Sequence, residues 1–259
     1  EPAFDVSRNG MSKNVESYIL HNLEKFNEIP EKRPMHDEIG ERRRREKYEG
    51  AFVFQPAAGL YENVAFFDFT SYWPSIIVTF NLSKSTLLEK KEKNALEVDI
   101  GKKKAYFSKA PGFFPEMLKE IITLRKKYKQ ELKNKEDAIT KARSNAFKLL
   151  ANASYGYQGF FGARYYCPEA SAATTSISRD FTRNTMDHIN KKNFTVIYGD
   201  TDSISLTLNK HSKKEALELL EEINKTLPGI MELELEDFYK EGYGLQKEQE
   251  SMEQKRNMH

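Results

Sequence analysis

Residues 194–206 constrain the chain more than any other stretch. Phe194-Thr195-Val196-Ile197-Tyr198 is a β-branched and aromatic run, Gly199-Asp200-Thr201-Asp202 is made of turn formers, and Ser203-Ile204-Ser205-Leu206 alternates polar and apolar. The reading is strand, tight turn, strand, so an antiparallel pair is built into the fold. Phe52-Val53-Phe54 and Val64-Ala65-Phe66-Phe67 add two β-rich runs, separated by the turn-friendly Pro56-Ala57-Ala58-Gly59, and Met231–Leu235 alternates like a further strand.

Helical periodicity occupies much of the rest. Residues 1–47 are polar and helix-prone, with Val15, Tyr18, Ile19 and Leu23 on one stripe, until Pro30 and Pro34 break the pattern. Pro74 stands where a helix through Ser75-Ile76-Ile77-Val78 can begin, because proline is tolerated in a first turn. After the Pro111-Gly112 break, the pattern from Pro115 is helical for roughly forty residues. Leu118, Ile121, Ile122 and Leu132 mark an apolar face on its first part, and Ile139, Ala142, Ala146, Leu149 and Leu150 mark one on its second. Asn134–Asp137 is the turn between them, so an antiparallel helical hairpin with cations on one side is expected to stand off the main body. Lys213–Thr226 is an amphipathic helix, and the polar tail Gln246–His259 is expected to be disordered. The fold class is α+β: an antiparallel sheet packed on helices, with a two-helix hairpin inserted.

Composition excludes more than it assigns. Of 259 residues, 31% are charged and 39% hydrophobic, so a solvated, soluble protein is expected. No apolar run approaches the roughly 18–20 residues that cross a bilayer, so no membrane association is expected. The opening Glu-Pro-Ala-Phe-Asp is unlike a secretory signal. The single cysteine, Cys167, excludes an internal disulfide framework and a Cys-based zinc site, and a cytoplasmic location is expected. The net charge of +2 carries little information, but cations cluster at Arg42–Arg45, at Lys102–Lys104 and along Arg125-Lys126-Lys127-Tyr128-Lys129. Each cluster suits a solvated face as well as an anionic partner.

Three constellations carry chemistry. Asp200 and Asp202, two apart in an extended chain, point to one side, where they repel each other unless a divalent cation such as Mg²⁺ joins them. A plain turn accounts for the same residue types. Asp68 ends an apolar strand just before a loop and a helix start, and the amides of Thr70, Ser71, Tyr72 and Trp73 can face an anion. An ordinary loop aspartate fits there too. Lys148, Asn152 and Tyr155 fall at i, i+4 and i+7, with Gly156 adjoining. A cation, an amide and an aromatic ring on one helical face suit a phosphate, a sugar or base edge and a stacking surface. Arg125 and Lys129 are similarly spaced on the facing helix, although two solvated helices would read alike.

Taken together, these segments resemble the polymerase motifs of family B DNA polymerases. Asp68-Phe69-Thr70-Ser71-Tyr72-Trp73-Pro74-Ser75-Ile76-Ile77 is similar to Asp-x-x-Ser-Leu-Tyr-Pro-Ser-Ile-Ile, and Lys148 to Gly156 is similar to Lys-x-x-x-Asn-Ser-x-Tyr-Gly. Tyr198-Gly199-Asp200-Thr201-Asp202-Ser203 matches the third motif in full, and Tyr48-Glu49-Gly50-Ala51 resembles the Tyr-x-Gly-Gly/Ala linker segment. Four motifs in order, over about residues 10–243, look most like archaeal members.

The resemblance implies a DNA-directed DNA polymerase core that joins dNTPs to a primer 3′-hydroxyl on primer-template DNA by a two-metal mechanism. The metals would be two Mg²⁺ ions, with Mn²⁺ an acceptable substitute, held by Asp68, Asp200, Asp202 and the Phe69 carbonyl. Arg125, Lys129 and Lys148 would meet the triphosphate, and Lys148 would also protonate the leaving pyrophosphate. Phe69 through Trp73, with Asn152 and Tyr155, would line the nucleotide site; Tyr48, Gly50, Gly156, Tyr198, Gly199 and Thr201 would contact DNA. The implied division is a connecting segment 1–50, a palm in two parts (51–111 and 161–244), a fingers hairpin 112–160 and a tail 245–259.

This sequence also departs from the pattern. Tyr72-Trp73 replaces Leu-Tyr, so an indole stands where a tyrosine excludes the ribose 2′-hydroxyl. Ala170 stands where archaeal relatives often carry a second cysteine. After Glu232–Lys240 the lysine-rich Lys-Lys-x-Tyr segment is absent, and no Asp-x-Glu proofreading motif precedes Tyr48. A thumb-bearing second polypeptide is therefore an expected partner. The competing reading is a non-catalytic DNA-binding or assembly subunit, against which the intact Asp68, Asp200, Asp202 and Lys148 weigh.

Overall fold

The computed structural model describes residues 9–45, 48–54, 59–135, 137–240 and 243–245. The expected turn at Pro56–Ala58 and the polar tail from Gln246 lie outside the described residues. From the amino end, α1 (Met11–Asn22), a 3₁₀ turn (Glu24–Phe26) and α2 (His36–Arg44) precede strands β1 (Val53–Phe54), β2 (Gly59–Tyr61) and β3 (Val64–Phe69). Next come α3 (Tyr72–Phe80), strands β4 (Leu87–Leu88), β5 (Leu96–Asp99) and β6 (Lys104–Phe107), and the long helices α4 (Phe113–Asn134), α5 (Ala138–Gly159) and α6 (Pro168–Lys191). The hairpin β7 (Thr195–Asp200) and β8 (Ser203–Thr207), then α7 (Lys213–Thr226), β9 (Leu233–Tyr239) and β10 (Tyr243–Leu245), complete the described order. Helices and antiparallel sheets mix as the α+β expectation has it.

The chain divides into two compact units. One comprises the described parts of Glu1–Gly50 together with Ser71–Ile177; the other comprises those of Ala51–Thr70 and Ser178–His259.

The second unit is built on a five-stranded sheet of order β1-β7-β8-β3-β9, antiparallel at every pairing. β3 is paired on both sides, which explains its near-continuous apolar composition: Val64, Phe67 and Phe69 are buried, as are Ile204 and Leu206 on β8. α7 begins with a capping box in which Ser212 and Glu215 satisfy each other's backbone amides. Its buried stripe is Ala216, Leu219, Leu220 and Ile223. Asn224 ties it to β9, its side chain donating to and accepting from the Leu233 backbone at 2.8 Å each way. The strand expected over 231–235 instead runs Leu233–Tyr239, because Met231 is drawn into a turn whose amide donates to Pro228.

The first unit is largely helical. Val15 and Ile19 of α1 are fully buried, as their stripe predicts. α3 has Pro74 in its first turn and buries Ile76 and Ile77. α4 begins after Gly112, whose missing Cβ would sit 2.5 Å from the Thr86 methyl, and buries Leu118, Ile121 and Ile122. α5 starts at Asp137, which accepts from the Thr140 amide and hydroxyl at 2.8 Å each; these bonds hold its carboxyl below the usual range. The chain doubles back there, and the rings of Tyr128 on α4 and Phe147 on α5 stack at 5.8 Å.

The expected apolar face of α5 is corrected by the structure. Ile139 and Leu149 are 64% and 57% exposed, Ala142 and Ala146 are also exposed, and Leu150 is only half-buried. The buried positions are Ala151, Ser154, Tyr157 and Gln158. Small and polar residues permit the close helix contact, so hydropathy points to the wrong side. The β4-β6-β5 sheet, the β2–β10 pair and the 24-residue α6 had no counterpart in the sequence reading. The buried positions of α6 include Ser171, Ala173, Thr174, Thr175, Ser178 and Thr182, which give a faint hydropathic stripe. Thr174 quiets its hydroxyl on the Ala170 carbonyl one turn back. Among the described residues no helix is long and apolar enough to cross a membrane.

Candidate active site

Register brings the carboxylates of the sheet unit into a row. Asp200 pairs with Ser203 across β7–β8, Ser203 with Asp68 across β8–β3, and Asp68 with Glu234 across β3–β9. Residues directly opposite in antiparallel strands share a face, so Asp200, Ser203, Asp68 and Glu234 line one side of the sheet. Ser203 donates its hydroxyl to Asp68 Oδ1 at 2.8 Å, and the Tyr198 hydroxyl lies 3.4 Å from Asp200 Oδ2.

The chain from Asp200 to Asp202 is not extended, as the expectation that the two share a side assumes. Thr201 and Asp202 are the two turn residues of the hairpin, and Thr201 has φ +54°, a left-handed conformation costly for a β-branched residue. Three bonds hold it. The Thr201 amide donates to the Phe52 carbonyl (3.1 Å), the Thr182 hydroxyl of α6 donates to the Thr201 carbonyl (3.0 Å), and the Thr201 hydroxyl donates to Asp200 Oδ1 (2.9 Å). On the next residue, the Asp202 carbonyl accepts from the Phe69 amide at 2.9 Å, and the Thr70 amide donates to Glu232. The turn is thus tied to the end of β3 beside Asp68.

Burial pushes the Asp202 carboxyl above its ordinary value, and the charges of Asp200 and Glu236 push it the same way. Among the described residues, no three Asp, Glu, His or Cys side chains form a ready metal-holding cluster. The donor set still fits a hard divalent cation: every side-chain ligand is a carboxylate oxygen, and a cation would relieve the repulsion at Asp202. Gly199, one residue from Asp200 on β7, faces the opposite side of the sheet from the carboxylate row. It is buried, and a Cβ there would come within 1.9 Å of the Met186 methyl, so its smallness serves packing. Glu234 and Glu236 went unassigned from sequence, although the alternation Glu232-Leu233-Glu234-Leu235-Glu236 signals acidic residues on one face of a strand.

The remaining site residues lie in the helical unit. Ser71 caps α3 with φ +47° and is buried, and Arg125 of α4 donates to its hydroxyl. Tyr72 is buried, and Trp73 packs on Tyr155 of α5 with ring centroids 4.1 Å apart. The indole Nε1 of Trp73 is buried without a hydrogen-bond partner among the described residues. Lys148 and Asn152 are exposed and Tyr155 is half-buried; Gly156 faces open space. Lys129 and Lys148 adjoin the stacked rings of Tyr128 and Phe147. Tyr48 has its hydroxyl near Gly159, and the Glu49 carbonyl beside Gly50 accepts from Thr175. Cys167 is a free, buried thiol pushed up to about 12 by burial, so it is no nucleophile at neutral pH. Lys104 of the 102–104 cluster is paired with Glu97 and Asp99 on the β5–β6 surface.

The sheet unit carries carboxylates at its strand ends, and the helical unit carries cations and stacked aromatics; together they make an α+β chain. The sequence profile described as DNA polymerase family B matches residues 2–247, and the chain belongs to that family. It is 38% identical over 253 residues to DNA polymerase 1 of Pyrococcus abyssi, covering 94% of this chain and 32% of that protein. To the DNA polymerase of Archaeoglobus fulgidus it is 36% identical, covering 92% of this chain and 29% of the relative. The solved family B DNA polymerase from the hyperthermophilic archaeon Pyrobaculum calidifontis superposes with a TM-score of 0.70 at 28% identity, over 93% of this chain and 31% of that one. The chain therefore spans about a third of the length of the relatives it matches.

Proposed function

We propose that this chain is the palm and fingers of a DNA-directed DNA polymerase, transferring nucleotides from dNTPs to a primer 3′-hydroxyl. The observation that carries this reading is the row Asp200–Ser203–Asp68, with Asp202 on a three-bonded strained turn beside it. Asp68, Asp200, Asp202 and the Phe69 carbonyl would hold two divalent ions, Mg²⁺ or in its place Mn²⁺. When bound, such ions supply charge for the attacking and leaving oxygens. The protein's own task is positioning. Arg125, Lys129 and Lys148 of the α4–α5 hairpin, the fingers in this reading, neutralise the triphosphate, and Lys148 gives a proton to the departing pyrophosphate. Asn152, Tyr155 and Gly156 border the new base pair; Thr70 and the Ser71–Trp73 turn meet the nucleotide, with Trp73 against its sugar. Tyr48, Gly50, Tyr198, Gly199 and Thr201 belong to the DNA-facing side.

Regions 51–111 and 161–244 form the palm in this reading, and contacts of the thumb type come from outside these 259 residues, on a partner polypeptide or a longer one. The decisive experiment is Asp202→Asn, assayed for primer extension together with whatever thumb-bearing segment makes the parent active. A neutral amide keeps one oxygen but loses the charge and the second oxygen needed to hold dications beside a polyphosphate, so extension should fall by about a thousandfold or more with the fold unchanged. Extension within tenfold of the parent would sink the assignment.

A further inference from the structure

One member of the row Asp200–Ser203–Asp68–Glu234 carries no charge. Ser203 opens β8, a strand paired on both sides, with β7 and with β3. Such a strand favours β-branched and aliphatic side chains, and Ile204 and Leu206 on its buried side conform. Ser203, on the carboxylate side and half-buried, does not. Strand propensity therefore gives no reason for a serine here, and its size and its hydroxyl do.

Size governs the space between the aspartates. Neighbouring strands lie about 4.8 Å apart, so the backbones of Asp200 on β7 and Asp68 on β3 are two spacings apart, on the order of 9–10 Å, with Ser203 between them. A long side chain would fill that interval, and a serine leaves it open. The hydroxyl governs direction. The last torsion of an aspartate is broad and has no sharp preference of its own. Glu234 stands directly opposite Asp68 on β9, so like charge pushes on the Asp68 carboxylate without orienting it. The Ser203 hydroxyl donates to Asp68 Oδ1 at 2.8 Å and so fixes one of its two oxygens. Asp200 is served in the same way from the same hairpin: the Thr201 hydroxyl donates to its Oδ1 at 2.9 Å, and the Tyr198 hydroxyl lies 3.4 Å from its Oδ2.

We infer that Ser203 is a positioning residue for Asp68. It keeps the interval between Asp68 and Asp200 open, and its hydroxyl holds the Asp68 carboxylate in the orientation that takes a divalent cation. The inference rests on the proposed reading of Asp68 as a cation ligand. Removing a hydrogen-bond partner of a ligating group lowers metal affinity by about 10–100-fold, far more than one half-buried hydroxyl matters to the fold.

The test titrates Mn²⁺ against the whole chain without nucleotide or DNA and reads free Mn²⁺ by electron paramagnetic resonance, so no turnover is needed. Ser203→Ala keeps the interval and loses the donor. It should bind Mn²⁺ about tenfold more weakly or worse, with its urea midpoint near the parental value. Ser203→Thr keeps a hydroxyl and should recover most of the affinity, whereas Ser203→Val, of the same shape without the hydroxyl, should be as weak as Ser203→Ala. In an Asp68→Asn background Ser203→Ala should add nothing, because its effect passes through a carboxylate already lost. Parental Mn²⁺ affinity in Ser203→Ala overturns the inference. So does a Ser203→Thr as weak as Ser203→Val, and so does an undiminished Ser203→Ala loss in the Asp68→Asn background. Asp68→Asn alone separates the two levels. If it lowers Mn²⁺ affinity and Ser203→Ala does not, the cation reading stands and the role of Ser203 falls; if it leaves the affinity unchanged, both fall.

Discussion

The hairpin turn of the sheet and the exposed side of α5 hold their functional side chains in opposite ways. At the turn, each of the backbone groups of Thr201 and the carbonyl of Asp202 has a partner from Phe52 just before β1, from β3 or from α6, and a left-handed threonine is kept in place. On α5, Lys148 and Asn152 stand exposed beside an apolar stripe of Ile139 and Leu149 that nothing in its own unit covers among the described residues. Groups that must hold multivalent charge in fixed geometry need a scaffold that over-determines them. A group that meets a mobile phosphate needs reach and charge, and a solvated lysine on a helix has both. The difference predicts that damage to the bonds holding the turn's backbone is structural and catalytic together, whereas damage on α5 is catalytic alone.

That contrast can be broken in a graded way. After Asp202→Asn, the largest effect should come from Lys148→Ala. Single-turnover incorporation should slow about a hundredfold or more, with duplex affinity and thermal stability near parental values. An unchanged maximal rate, or a large loss of stability, would undo the division. Trp73→Ala should come next, relaxing rejection of ribonucleotides by about tenfold, since opening space at a sterically defined pocket is worth that order. Competition between a ribo- and a deoxynucleotide reads it directly, and unchanged discrimination would remove Trp73 from the sugar.

Thr182→Val probes the turn from behind. It deprives the Thr201 carbonyl of a buried donor, so urea unfolding should show a loss of about 1–3 kcal/mol, and the divalent-ion concentration for half-maximal extension should rise. Thr182→Ser keeps the hydroxyl and should restore both. The smallest effect belongs to Leu149→Glu. A residue already 57% exposed should change stability by less than about 0.5 kcal/mol. A larger loss would mean the stripe is covered in solution.

The same contrast explains what could be read from sequence. The hairpin around Gly199–Asp202, strand β3 and the start of α3 were legible because each rests on local chemistry: β-branched runs, turn formers and Pro74 in a first turn. The buried side of α5 was not, since Ala151, Ser154 and Gln158 are chosen for close contact while Leu149 stays out. α6 was missed for a related reason: its buried face is rich in threonine and serine, with Thr174 and Thr175 bonding carbonyls of their own helix, and hydropathy counts such residues as solvent-facing. The geometry around Asp68, Asp200 and Asp202 was not legible. The left-handed Thr201 and the alignment of Glu234 with Asp68 depend on register, which a single strand does not carry.

The pairing of Asp68 with Ser203 spans 135 residues, and this has a consequence for how the chain is born. At roughly 5–20 residues per second, β3 leaves the ribosome about 7–27 s before β8 can join it, and β9 arrives later still. Throughout that interval Val64-Ala65-Phe66-Phe67-Asp68-Phe69 has both hydrogen-bonding edges open and an apolar sequence that suits self-association. Meanwhile α3, α4 and α5, whose contacts are nearer in sequence, can collapse behind it. The strand that carries Asp68 is thus in need of a chaperone's shelter during synthesis.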